Sequence, residues 1–419
     1  MLRWHPATGV DVAAPGAADA LLKRAIAQQP HSAALRVGFA DLALDRFDFA
    51  AAAEALEAAL LADPALSATR PRLARCYNFL GRPGEALELF TGHEPPEFER
   101  GVALDRLERQ DEAESEFRAV LAVDPNHWPA CRRLGKILLR SGRIDALLAL
   151  CDDLWARGAR HAQLLYNWGV ALALSGQDAD ARAILFDRDR VARCALPVPE
   201  GFADISAFNA ALVEEILGNP YQLSEFPIED EANRGSSRIH ALFSGPRPEL
   251  FHALLESLQS IAEGYVVPRY DSFDPWLDAR PDAARLKAWA LIQRGNDYEA
   301  WHSHPGGWLS GVYYIRVPAA VSIEGDGPGC IEFGAPPAVQ RARPGFAETW
   351  RHAPCAGQLL LAPSHYAHRT IPSGADEYRI SFAFDVVPVR TPPPIGPAVS
   401  EGRRQAANPA DRDGAPTPS

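Results

Sequence analysis

The sequence predicts a two-part chain, a stack of helical hairpins followed by an α+β domain whose strands form a sandwich or jelly roll. Three observations point there. Small residues recur at a helical-repeat interval through the first half, and short strand-like runs between Gly/Pro-rich turns fill the second. A chain of 419 residues is also too long for one ordinary core.

The repeat comes first. Ala40, Ala74, Gly101, Gly135 and Gly169 follow one another at steps of 34, 27, 34 and 34 residues, each inside helical apolar periodicity. Seven residues after three of them stands another glycine, Gly81, Gly142 and Gly176, where one helix must stop and turn. Twelve residues after four of them stands an alanine, Ala52, Ala86, Ala113 and Ala181, where a second helix packs closely on the first; Leu147 breaks that series. Asp63-Pro64 and Asp124-Pro125 suit helix ends. The pattern resembles the tetratricopeptide repeat over residues 33–190, most clearly in Asn167-Trp168-Gly169-Val170-Ala171-Leu172-Ala173-Leu174-Ser175-Gly176. The 27-residue step predicts that one repeat has lost about two helical turns or a loop. Residues 1–32 form a separate N-terminal segment in this reading.

From residue 198 the period changes. Ala207–Leu217 and Pro248–Ile261 still read as helices, the second with Leu250, Leu254, Leu255, Leu258 and Ile261 on one face. Strand-like runs then dominate, at Ala288–Gln293, Leu309–Val317, Cys330–Phe333, Gln358–Leu361 and Tyr378–Val387. These place a second domain at 198–390. The remainder, 391–419, is rich in Pro, Gly, Ala, Arg and Asp without periodicity and is expected to be disordered.

Chemistry concentrates in that second domain. Trp301-His302-Ser303-His304 runs through Pro305-Gly306-Gly307 into a strand, and residues i and i+2 of an extended segment point the same way, so His302 and His304 can share one metal. His368 lies in Pro363-Ser364-His365-Tyr366-Ala367-His368-Arg369-Thr370, and Arg379-Ile380-Ser381 begins an apolar strand eleven residues later. Imidazoles suit a non-haem iron that must keep open positions, and arginine on a rigid strand suits the far carboxylate of a chelating co-substrate. His365 and His352 read as structural, and Trp301 and Trp308 as packing residues.

In this order, HxH, Trp-Leu-Ser-Gly-Val-Tyr-Tyr, Pro-Ser-x-x-x-His and Arg-x-Ser, the motifs resemble the prolyl-hydroxylase-like branch of the 2-oxoglutarate/Fe(II) oxygenases, in particular a bacterial and phage group. The resemblance covers residues 198–388. It implies a double-stranded β-helix (jelly roll) using Fe(II), 2-oxoglutarate and O₂, with oxidative decarboxylation of the co-substrate coupled to hydroxylation. It makes His302 the first metal ligand, His304 the occupant of the second-ligand position and His368 the distal ligand. Arg379 would bind the 5-carboxylate, helped by Tyr313 and Ser381. The sequence departs from the family at His304, where most members have Asp or Glu. Asp297, Glu299 and Glu332 are nearby acids that could substitute, and spacing favours none. A halogenase is disfavoured, because such enzymes leave that position empty.

Bulk properties bound the rest. Basic and acidic residues number 42 and 54, a net charge of −12, which argues against a nucleic-acid backbone as partner. No stretch reaches the ~20 apolar residues of a spanning helix, and no apolar leader follows Met1, so a cytoplasmic protein is expected. Six scattered cysteines without a CxxC pair read as reduced thiols. Stacked repeats offer a concave surface to extended chains, so the leading expectation is hydroxylation of a protein or peptide held by them. The rivals are a small-molecule tailoring hydroxylase, and a repeat scaffold whose oxygenase domain no longer turns over.

Overall fold

The computed structural model describes residues 2–7, 15–90, 95–223, 232–265, 274–321 and 326–389. The segment expected to be disordered, 391–419, lies outside them.

After a first helix, α1 (Pro15–Gln28), the N-terminal half is five antiparallel helical pairs: α2 (Ala33–Asp45) with α3 (Phe49–Ala62), α4 (Arg70–Phe79) with α5 (Pro83–Glu88), α6 (Phe98–Arg106) with α7 (Gln110–Val123), α8 (Trp128–Arg140) with α9 (Ile144–Ala156), and α10 (Ala162–Leu174) with α11 (Asp178–Leu185). This is the tetratricopeptide-type array. Its short step is explained by α5, which has 6 residues where α3 and α7 each have 14.

The small residues mark close approaches. A Cβ at Gly101 would stand 2.5 Å from the Phe117 ring of its own hairpin, and one at Gly135 would stand 2.5 Å from the Asn167 amide of the next. Ala52, Ala86, Ala113 and Ala181 are all fully buried, and so is Leu147 at the equivalent position. The turn between paired helices needs a left-handed residue, which Gly81, Gly142 and Gly176 supply at φ +71°, +69° and +84°. Phe47 and Glu108 adopt the same conformation at φ +61° and +60° in the two remaining long hairpins, without glycine's freedom. Asp63 and Asp124 end α3 and α7 as expected, each accepting a backbone N–H two residues on.

The C-terminal half is built on strands β1 (Arg3–Trp4), β2 (Ala192–Ala195), β3 (Asn233–Arg234), β4 (Ser237–Ile239), β5 (Ala283–Gln293), β6 (Tyr298–Glu299), β7 (Leu309–Arg316), β8 (Ile331–Gly334), β9 (Thr349–His352), β10 (Gln358–Pro363), β11 (His368–Thr370) and β12 (Arg379–Pro388). Helices α12 (Ile205–Gly218), α13 (Pro248–Gly264), α14 (Pro275–Asp278) and α15 (Pro337–Ala342) accompany them. The main sheet runs β1-β5-β12-β7-β10-β2, with β4 also on β5; the second runs β11-β8-β9; β3 pairs β6. These curled sheets make the jelly roll.

Two of the main sheet's strands come from outside the strand-rich region. Arg3 and Trp4 pair in parallel with Ala283 and Ala284, and Ala192–Ala195 pairs antiparallel with Leu361–Gln358. The apolar core behind the sheet is likewise shared. Leu165, Val170, Ala173, Ile184 and Leu185 of the last hairpin pack in one cluster with Phe208, Leu254, Ile380, Phe382 and Phe384. Side chains alternate across each strand: on β12, Ile380, Phe382 and Phe384 enter this core, while Arg379, Ser381 and Ala383 line the cavity on the other face.

Candidate metal centre

Two short segments build the site. His302 and His368 lie opposite each other as an antiparallel bridge, each N–H donating to the other's carbonyl at 2.9 Å, and His304 N–H donates to Ser364 O at 2.8 Å. Residues 66 positions apart in the chain are thereby held side by side. Because i and i+2 share a face, His304 joins them, with its Nε2 3.3 Å from His302 Nε2. One ring nitrogen from each of the three histidines lies within 4.8 Å of the others, the arrangement a single metal ion requires.

The second ring nitrogen of each histidine is occupied from behind. Nδ1 of His302 is 2.7 Å from Ala300 O, Nδ1 of His368 is 3.0 Å from Tyr366 O, and Nδ1 of His304 is 2.5 Å from Asp385 Oδ1. Carbonyl and carboxylate oxygens only accept, so each Nδ1 carries a proton and Nε2 is the atom a neutral ring can offer to a metal. Burial and the neighbouring imidazoles hold His302 well below its ordinary pKa and push His368 down to about 3. Both rings are thus neutral at neutral pH, as a metal ligand must be. Burial pushes the Asp385 carboxyl up, but His304 and the Ser310 hydroxyl outweigh it and hold it below its ordinary value.

The three rings open on a cavity between the two sheets. Trp289, Leu291, Ile331, Phe333 and Leu360 give it apolar walls, and the Trp289 ring stacks on His304 with centroids 5.7 Å apart. Arg379 enters it from β12. The guanidinium is buried, its Nε has no hydrogen-bond partner, and its Cζ lies 5.3 Å from the Tyr314 ring centre. Among the described residues no carboxylate pairs with it. The contrast is Arg238, on the same cavity wall, which donates to Glu299 at 2.7 Å. An unpaired buried cation is costly, so the Arg379 end of the cavity favours an anionic ligand. A register shift between β12 and β7 falls beside it, at Ile380/Ser381.

The structure therefore brings His302, His304, His368, Arg379 and Ser381 to one cavity. It places Tyr313 elsewhere, which corrects the expectation for that residue. Strand alternation turns Tyr313 into the core, where it is fully buried and donates to Asn209 Oδ1 at 2.7 Å, and it is Tyr314 that faces the cavity. None of the three candidate acids joins the histidines. Glu299 accepts from Arg238, Glu332 from Arg351 and Arg369, and Asp297 from the Arg294 N–H. Sequence reasoning missed Asp385, for which a signal existed: it is a lone charge in the apolar run Ile380-Ser381-Phe382-Ala383-Phe384-Asp385-Val386-Val387. His365 and His352 stay outside the cavity, bonding to Ile184 O and Arg193. Trp308 is a packing residue, stacked on Trp276 at 4.9 Å with each indole N–H donating to the other's carbonyl.

Residues 287–385, which contain the whole site, match the family model described as "Putative 2OG-Fe(II) oxygenase". Among curated proteins, the mouse "FK506-binding protein-like" is 38% identical over 84 residues, and the human protein of that name is 33% identical over 93. The chain spans about a quarter of the length of these relatives (24% and 27%). Among solved structures, YrrB, described as a TPR protein with an unusual peptide-binding site, covers 38% of this chain at 22% identity and TM-score 0.30, with 86% of its own length matched. A Pseudomonas putida prolyl-4-hydroxylase is matched over its full length, covering 52% of this chain at 14% identity and TM-score 0.32.

Proposed function

For a chain that joins a tetratricopeptide-type array to a 2-oxoglutarate/Fe(II) oxygenase domain, we propose the function of a dioxygenase that hydroxylates a side chain of a protein or peptide recruited by the repeats. One observation carries it: three Nε2 atoms converge on one point of a cavity whose wall also presents a buried arginine without a carboxylate partner. The donor set fits Fe(II), since neutral imidazoles of fixed tautomer are good ligands for it and three of them leave positions open.

In this reading His302, His304 and His368 hold the metal. Arg379 takes the far carboxylate of 2-oxoglutarate, with Ser381 beside it. Fe(II) supplies the site where 2-oxoglutarate and O₂ meet, with succinate, CO₂ and the hydroxylated substrate as products. The protein's own contribution is positional. Reciprocal backbone bonds between His302 and His368 fix the ligand geometry, and the apolar walls exclude water. The repeats support a polypeptide substrate because stacked hairpins present an extended concave surface of the kind that takes extended chains.

Anaerobic addition of Fe(II) and then 2-oxoglutarate to the purified protein is the direct test. A visible charge-transfer band that appears only with both, and is lost in His302→Ala, is expected. Absence of the band, with no succinate released in air, would overturn the reading.

A further inference from the structure

The three metal-facing imidazoles include no carboxylate, but one stands directly behind them. Asp385 Oδ1 lies 2.5 Å from His304 Nδ1 and also accepts from the Ser310 hydroxyl at 2.6 Å, and Ser310 Oγ is in turn 2.7 Å from Ser364 Oγ. Asp385, Ser310 and Ser364 are all buried. The other two histidines are backed by neutral carbonyls of Ala300 and Tyr366. The anion thus stands behind the one imidazole at the position where the resemblance leads one to expect Asp or Glu.

The neighbouring turn is built against the same network. A Cβ on Gly307 would come 2.5 Å from Ser364 Oγ and 3.3 Å from Asp385 Cβ, and Ser364 O accepts the His304 N–H. We propose that Asp385 is a positioning residue that returns to the metal site, through His304, the negative charge its donor set lacks. The inference rests on His304 being a ligand. Three neutral imidazoles plus this carboxylate carry the same net charge as two imidazoles and a direct carboxylate, displaced outward by one ring. The carboxylate fixes the ring with Nε2 toward the cavity and raises its donor strength.

The test compares Asp385→Asn, Asp385→Ala, Asp385→Glu, Ser310→Ala and His304→Ala in the full chain. Fe(II) affinity is measured anaerobically by competition with a chromogenic chelator, alongside the melting of the metal-free proteins and the visible spectrum of the Co(II)-loaded forms. Asp385→Asn keeps an oxygen acceptor but no charge. It should raise the Fe(II) dissociation constant by roughly 10- to 100-fold and shift the Co(II) spectrum, with little change in metal-free melting. Asp385→Ala should lose more, Asp385→Glu should recover part, and Ser310→Ala should give a small loss. Should Asp385→Ala fail to fold, the Asn and Ser310 variants decide. Wild-type Fe(II) affinity in Asp385→Asn beside a loss in His304→Ala would overturn the proposal and leave the metal site standing. An affinity loss matched only by lower metal-free stability, with an unchanged Co(II) spectrum, would also overturn it. Wild-type affinity in His304→Ala would remove His304 as a ligand, and this inference with it.

Discussion

The helical array and the metal centre solve the problem of placing residues in opposite ways. In the array each hairpin touches its neighbours, so a position 34 residues along the chain is a position one repeat along the stack, and volume decides what fits. At the candidate metal centre, residues 302, 304, 368, 379 and 385 come from three separate segments, and single nitrogen and oxygen atoms decide. The difference teaches where substitutions should act: on stability in the array, on ligand affinity at the centre. The seam between them, where the last hairpin shares a core with the sheet, should do both.

The largest effect is expected at that seam. A fragment of residues 198–390 lacks β1 and β2 from the two ends of the main sheet, and leaves Phe382, Phe384 and the His365 ring without the last hairpin. It should fail to unfold cooperatively in a thermal melt followed by circular dichroism. A fragment that melts as one transition and binds Fe(II) would break the comparison, making the two halves independent.

Next come the proposed ligands. His302→Ala or His368→Ala should abolish stoichiometric Fe(II) binding while the metal-free protein melts near the wild type; full iron occupancy in both, by metal analysis, would remove them from the site. Arg379→Leu should weaken 2-oxoglutarate binding by roughly 1.5–3 kcal/mol, the size of a lost charge-assisted pair. Fe(II) affinity without the co-substrate should barely change. An unaltered 2-oxoglutarate titration would count against this assignment.

In the array the effects should be smaller and confined to stability. Gly135→Ala puts a methyl against the Asn167 amide and should destabilise by about 1–3 kcal/mol with Fe(II) affinity intact. A loss of iron affinity there would mean that strain crosses the seam. The smallest effect has the opposite sign. Glu108 is exposed and held at φ +60°, so Glu108→Gly relieves a left-handed residue and should stabilise by ~1 kcal/mol. A lower melting temperature would show that the side chain does more than the backbone position requires.

Much of the molecule was legible in the sequence, because local rules wrote it. The 34-residue spacing gave the hairpins, Gly81, Gly142 and Gly176 gave the turns, and the 27-residue step announced a shortened repeat, in which the structure located the loss at α5. Strand alternation placed His302 beside His304. The same parity relates Arg379, Ser381 and Asp385 on β12, and went unread there until the fold showed which face meets the cavity. Where one local rule had two outcomes, only the tertiary structure chose. Alternation allows either Tyr313 or Tyr314 to face the cavity, and the packing of α12, whose Asn209 receives the Tyr313 hydroxyl, settled it. The use of Arg3–Trp4 and Ala192–Ala195 as strands of a distant sheet has no local signal, since two and four residues carry too little period. The same holds for the charge of the site. The sequence showed that a carboxylate was absent beside His302, and the fold, by pairing β12 with β7, put one behind His304. Which residues share a strand is written in their spacing; which strands share a cavity depends on the closure of the sheet, a property of the whole chain.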